Sequence, residues 1–136
     1  MIKQATIYRI IELPADGFDI NAALESYTFQ SCGPTQEKST GFVAPNDDVL
    51  CECINSQLIY KVAVEEKSVP APVIDKKLQE RCAAIKQATG RKPGKKERKE
   101  LKDEILLELL PSAFPRRTDV LVWIDPVAKT MVIGST

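Results

Sequence analysis

Between Val73 and Leu110 apolar residues recur at three- and four-residue intervals, and the pattern is interrupted at one place, by Gly90 and by Pro93-Gly94. Ile74, Leu78, Cys82 and Ile85 make one stripe; Leu101, Ile105 and Leu109 make a second row, with Leu106 and Leu110 beside it. This spacing gathers side chains on one face of a helix. Two amphipathic helices are therefore predicted, one from about Val73 to a stop at Gly90, the other from about Lys95 to Leu110 and ended by Pro111. A short link containing Gly and Pro turns such helices back on each other, so residues 73–110 should form an antiparallel helical hairpin.

The rest of the chain reads mostly as strands. Residues 5–13 (A-T-I-Y-R-I-I-E-L) are β-branched and aromatic and stop at Pro14. Asp19 can cap a short helix over Ile20 to Tyr27, with Ile20, Leu24 and Tyr27 on one face. A loop (S-C-G-P-T-Q-E-K-S-T) leads to a short strand from Gly41 to Ala44, closed by Pro45. Val49–Ile54 and Leu58–Val64 alternate around Asn55-Ser56 as a hairpin. Residues 67–72 are expected to be extended, because a residue before proline is pushed out of the helical region. Asp119–Asp125 and Lys129–Gly134 form a second hairpin, turned by Asp125-Pro126-Val127-Ala128. The order β-α-β-β-β-α-α-β-β predicts an α+β fold: an antiparallel sheet of hairpins with a helical hairpin and one short helix, the helices covering one side of the sheet, in a single domain over residues 1–136. No internal repeat is visible.

Composition narrows the chemistry. With 43% hydrophobic and 28% charged residues, the chain can bury a core of ordinary size. No apolar run can span a membrane, and M-I-K-Q-A-T-I-Y lacks the apolar centre of a signal peptide, so the expected compartment is the cytoplasm. The absence of histidine removes the commonest general base and any Ser-His or Cys-His nucleophile. Of the four cysteines (Cys32, Cys51, Cys53, Cys82), Cys51 and Cys53 share a strand face, but C-x-C is a poor zinc spacing; buried free thiols are expected instead. Asp16, Asp19, Asp47, Asp48, Asp119 and Asp125 are loose candidates for a Mg²⁺-dependent nuclease, yet they fall at turns and strand ends where Asp usually caps. Neither a Walker loop nor G-x-G-x-x-G occurs. No metal, cofactor or catalytic residue is expected.

Charge is the informative property. The formal net charge is zero, yet Lys86, Arg91, Lys92, Lys95, Lys96, Arg98, Lys99 and Lys102 gather around the link against only Glu97 and Glu100. Four of these cations sit in the first turns of the second helix, where the helix dipole favours acidic side chains by about 0.3–1 kcal/mol each. Lys96–Glu100 and Lys99–Asp103 pairs would run basic-first, the weaker orientation. A polyanion at this helix end would relieve both the dipole mismatch and the self-repulsion. With no Asn or aromatic residue among the cations, contacts would go to phosphate backbone rather than to base edges.

Specific blocks go further. Tyr8-Arg9, Phe29 followed by Cys32-Gly33, Gly41-Phe42-Val43-x-Pro45, Glu65-Glu66-Lys67-Ser68-Val69-Pro70-Ala71-Pro72-Val73-Ile74, the run from Leu101-Lys102-Asp103-Glu104-Ile105-Leu106 through Leu109-Leu110-Pro111-x-Ala113-Phe114, and Trp123-Ile124-Asp125 occur in the order found in the bacterial recombination-associated RdgC family, which this chain resembles over nearly its whole length. The resemblance implies a non-enzymatic, nucleoid-associated protein that binds duplex and single-stranded DNA with little sequence preference. It further implies a ring-shaped homodimer with a positive central hole that restrains the RecA recombinase by occupying DNA. It also places Leu109, Leu110 and Phe114 near a subunit interface, Phe114 being the one expected to be exposed. The word exonuclease also attaches to the family, but no nuclease spacing accompanies it here. Family members are longer, so the chain looks like their amino-terminal half, and closure of a ring is not implied for it.

The leading expectation is thus sequence-tolerant DNA binding through the eight hairpin cations, joined by Arg116 and Arg117. The alternative is a protein-interaction module whose basic hairpin docks an acidic partner, and a metal-dependent nuclease comes third.

Overall fold

The computed structural model describes residues 3–15, 17–46 and 48–135. The elements run β1 (Gln4–Arg9), α1 (Ile20–Glu25), β2 (Lys38–Val43), β3 (Cys51–Ile54), β4 (Gln57–Lys67), α2 (Ala71–Thr89), α3 (Lys95–Leu109), a 3-10 turn (Leu110–Ser112), β5 (Pro115–Asp125) and β6 (Thr130–Ser135). The α+β class with an antiparallel sheet is as the sequence predicts. Two compact units emerge: Met1–Ser31 with Lys38–Glu65 and Arg116–Thr136, and Cys32–Glu37 with Glu66–Pro115.

The first unit holds the sheet, ordered β1-β6-β5-β4-β2 with β3 also paired to β4. Side-chain alternation sets its inside: Val122 and Ile124 of β5 are buried, while Trp123 between them points to the opposite face. Cys51, Ala63 and the charged Glu65 are buried in this unit as well. The β3–β4 hairpin turns at Asn55-Ser56 with Ile54 opposite Gln57. Both turn residues have positive φ (50° and 65°), the backbone a two-residue turn needs to match the twist of its strands. In the β5–β6 turn the Asp125 carboxylate accepts from the Val127 and Ala128 N–H groups, each at 3.1 Å.

Asp19 caps α1 by accepting from the Ala22 N–H at 3.1 Å. Asn21 then ties this short helix to β3, accepting from the Cys51 N–H (2.9 Å) and donating to the Cys51 carbonyl (3.3 Å), much as a strand would. Gly41 is required by close approach: a methyl there would run into the Phe29 backbone, where Thr28 bridges in parallel to Phe42.

The second unit is the helical hairpin. Ile74 and Leu78 of α2 meet Ile105 of α3, with Val69, Cys82, Leu101, Leu106 and Leu109 packed around them. Ile105 is wholly buried. The Arg81 guanidinium pairs with the Glu108 carboxylate across the two helices. Gly90 ends α2 in the left-handed conformation (φ 74°), its N–H donating to the Lys86 carbonyl.

Several boundaries differ from the sequence reading. β1 stops at Arg9 rather than residue 13, because its partner β6 is only six residues long and Arg9 already faces Thr130 at its start. The first helix ends at Glu25, before Tyr27. α2 begins at Ala71, so residues 71 and 72 are helical instead of extended: Pro72 falls in the first turn, where a missing N–H removes no helical bond. β5 begins at Pro115, four residues ahead of Asp119. Cys51 is buried as expected, but Cys53 is exposed and Cys32 and Cys82 are half-buried; none of the four is in a disulfide. Among the described residues no helix is long and apolar enough to cross a membrane.

Candidate functional site

The basic cluster is built by the turn-back of α2 into α3. Gly94 is the N-cap of α3 and brings no side-chain cap, so the helix start is left with unpaired N–H groups, and its first turns carry Lys95, Lys96 and Arg98 against a single acid, Glu97. Lys95, Arg98, Lys99 and Lys102 stand at i, i+3, i+4 and i+7 and therefore share a face. All eight predicted cations of the hairpin are exposed.

One of the eight is neutralised. Arg91 donates to Glu97 at 3.0 Å, a pair that reaches across the link. Among the described residues no other carboxylate comes within ion-pair distance of Lys86, Lys92, Lys95, Lys96, Arg98, Lys99 or Lys102; the conceivable Lys96–Glu100 and Lys99–Asp103 pairs do not form. The seven cations border two concavities. Lys95, Lys96, Arg98, Lys99 and Lys102 line a groove of about 730 Å³ together with Asp75 and Leu78. Lys86, Lys92 and Arg98 line a smaller hollow of about 280 Å³ with Gln79, Cys82 and Ala83. Arg98 belongs to both.

Arg116 and Arg117 fall in the other compact unit, on β5. Arg117 is already engaged, donating to Asp119 at 2.9 Å and lying over the Phe29 ring at 5.2 Å. Asp119 also takes Lys61 at 3.2 Å. Partial burial pushes the Asp119 carboxyl up, but the hydrogen bonds and charges of Arg117 and Lys61 outweigh it and hold the group below the usual carboxylate range. Arg116 is exposed on the same strand.

At the opposite end of the hairpin from the link, two sequence blocks that the family resemblance rests on meet. Val69, Pro70 and Val73 join Leu109, Ala113 and Phe114 around an apolar groove of about 320 Å³. Leu110 is 1% exposed and Leu109 packs on the hairpin core, whereas Phe114 is 92% exposed. Burial leaves Leu110 no surface to offer; Phe114 is the open member of the three.

The aspartates fill structural roles. Asp19 caps α1, Asp119 is doubly paired, Asp125 closes its turn, and Asp48 lies in an exposed loop; Asp16 and Asp47 lie outside the described residues. Among the described residues no three His, Cys, Asp or Glu side chains gather as a metal site.

Sequence reasoning missed the Arg91–Glu97 clasp, the two concavities and the Phe29–Arg117–Asp119–Lys61 chain. Only the last left a trace, as Arg117 and Asp119 two apart on a strand share a face.

Comparison with known proteins agrees over the whole length. The family model described as "Putative exonuclease, RdgC" matches residues 1–136. The recombination-associated protein RdgC of Enterobacter sp. (strain 638) is 35% identical over 135 residues, covering 96% of this chain and 45% of the relative. That of Yersinia pestis (strain Pestoides F) is 34% identical over 139 residues, covering 98% and 45%. The chain spans somewhat under half the length of these relatives, and with a match of this extent it belongs to the RdgC family.

Proposed function

We propose that this RdgC-family chain is a non-enzymatic, sequence-tolerant DNA-binding protein acting in recombination. The observation that carries the reading is the set of seven exposed cations around one helical turn-back, with no carboxylate partner among the described residues, in a chain of zero net charge. Like charges held together without counter-charges destabilise the local fold, and a phosphate backbone reverses that sign. The lack of Asn and aromatic side chains in the cluster supports backbone contact, and hence binding of duplex and single strands alike.

The match over residues 1–136 supports reading both compact units as one functional domain. Phe114 and its groove support a homodimer, with Leu109 behind them. The family resemblance supports reading it as a cytoplasmic, nucleoid-associated protein that restrains RecA by occupying DNA.

A salt titration of duplex affinity tests the reading. If about six phosphates are contacted, log K should fall against log salt with a slope near −5, at roughly 0.9 per contact. A slope near zero, or one unchanged by reversing the α3 cations, would remove the assignment. A protein that co-purifies after nuclease treatment while mixed-sequence DNA gives no shift would favour the acidic-partner reading. Mg²⁺-dependent loss of an end-labelled strand would favour the nuclease.

A further inference from the structure

The two concavities at the hairpin are not equivalent. We propose that the smaller hollow, bordered by Lys86, Lys92 and Arg98, is a subsite for a phosphate monoester, whereas the wider groove along α3 holds continuous phosphodiester backbone; the assignment deepens the DNA-binding reading and rests on it.

Three segments supply the three cations: Lys86 from the last turn of α2, Lys92 from the link and Arg98 from α3. Side chains from separate segments surround a point, whereas a row on one helix follows a line. The cations of the wide groove, Lys95, Lys96, Lys99 and Lys102 with the shared Arg98, all belong to α3, and that groove also carries the Asp75 carboxylate. The hollow has no acidic lining at all; its polar neutral member is the Gln79 amide. Arg91, the nearest other cation in sequence, is tied to Glu97 and does not line it.

Charge then selects the ligand. A phosphate monoester carries about −1.5 to −2 at neutral pH and presents three free oxygens, while a backbone diester carries one charge on two. Three cationic side chains lining one hollow, one of them a guanidinium fork, match the former in both charge and oxygen number. A monoester is also a terminus, so it can enter a hollow that a strand continuing in both directions would have to bridge.

The monoester can come from a 5′-phosphorylated DNA end or from a small free phosphate compound, and one experiment separates them. A blunt duplex with 5′-phosphate is compared with the same duplex bearing 5′-hydroxyl. In parallel, maleimide labelling of Cys82, which lines the hollow, is followed by peptide mass spectrometry with and without inorganic phosphate, the exposed Cys53 serving as internal reference.

Preference of roughly fivefold for the phosphorylated duplex, the scale of one or two exposed ion pairs, supports the subsite with a DNA end as its source. That preference should vanish in Lys86→Gln/Lys92→Gln and survive in Lys95→Gln/Lys99→Gln, which weakens both duplexes alike. No end preference, but protection of Cys82 by inorganic phosphate that Lys86→Gln/Lys92→Gln abolishes, supports the subsite with a small phosphate as its source. Duplex binding with neither end preference nor Cys82 protection overturns the subsite and leaves the DNA reading standing. Cys82 protection without duplex binding overturns the DNA reading and, with it, the division of labour between the two concavities. Should a variant fail to fold by circular dichroism, the two wild-type comparisons decide alone.

Discussion

The two ends of the helical hairpin share one core and present opposite surfaces. Around the link, Lys86, Lys92, Lys95, Lys96, Arg98, Lys99 and Lys102 stand in solvent with no carboxylate partner among the described residues. At the other end Val69, Val73, Leu109 and Phe114 border an apolar groove, and Phe114 is almost wholly exposed. Neither end is what stability alone would choose: cations oppose the α3 dipole at one, and an aromatic ring is left in water at the other. On the proposed reading a single element separates a polyanion surface from a protein-contact surface, and substitutions should be able to remove either without the other.

The core between the ends is where the separation should fail. Ile105→Ala removes a fully buried side chain from the Ile74–Leu78 contact and is expected to cost about 2–5 kcal/mol in chemical denaturation. Both surfaces should be lost together; retention of DNA affinity in a protein so destabilised would mean that the cations act without the hairpin. Reversing Lys95, Lys96, Arg98 and Lys99 to Glu should reduce duplex affinity by roughly 100-fold or more at moderate salt, through lost phosphate contacts and added repulsion. Sedimentation of that variant should match the parent's, since no substituted residue lies at the apolar end.

The mirror experiment is Phe114→Asp. It should weaken self-association on sedimentation while changing stability by no more than about 0.5 kcal/mol, as expected of an exposed position. An unchanged association state would take the apolar end out of the comparison. Asp119→Asn, in the other compact unit, should leave both surfaces intact and lower stability by about 0.2–1 kcal/mol. Its carboxyl is depressed in the folded state, so the Asp119 contribution is present above the unfolded value of about 3.9 and is lost as pH falls through the lower folded one; the gap between variant and parent should close over that acid range.

The hairpin was legible because its signals are local. Stripe spacing, the left-handed stop at Gly90 and the Pro93-Gly94 link all lie within a few residues of what they determine, and α3 begins at Lys95 as read. Asn55-Ser56 was readable for the same reason. The length of β1 was not, because it is set by a partner more than a hundred residues away in sequence. The start of β5 was also hidden: Pro115-Arg116-Arg117-Thr118 has no apolar alternation, and its polar side chains are exposed.

The same division applies to the site. Which residues are basic and that they cluster is a property of the sequence. That Arg91 would be clasped by Glu97, while Lys96 and Lys99 find no carboxylate partner among the described residues, is encoded by no periodicity. The engagement of Arg117 with Asp119 and Phe29 likewise depends on strand pairing.

The bare amino end of α3 has one more consequence. Mutual repulsion among its ammonium groups is relaxed by mobile ions, whose screening length shrinks to about 8 Å at physiological ionic strength. The free protein should therefore melt at higher temperature as electrolyte is added, while the proposed grip on nucleic acid should loosen, so that one set of side chains would answer the same solvent change in two opposite directions.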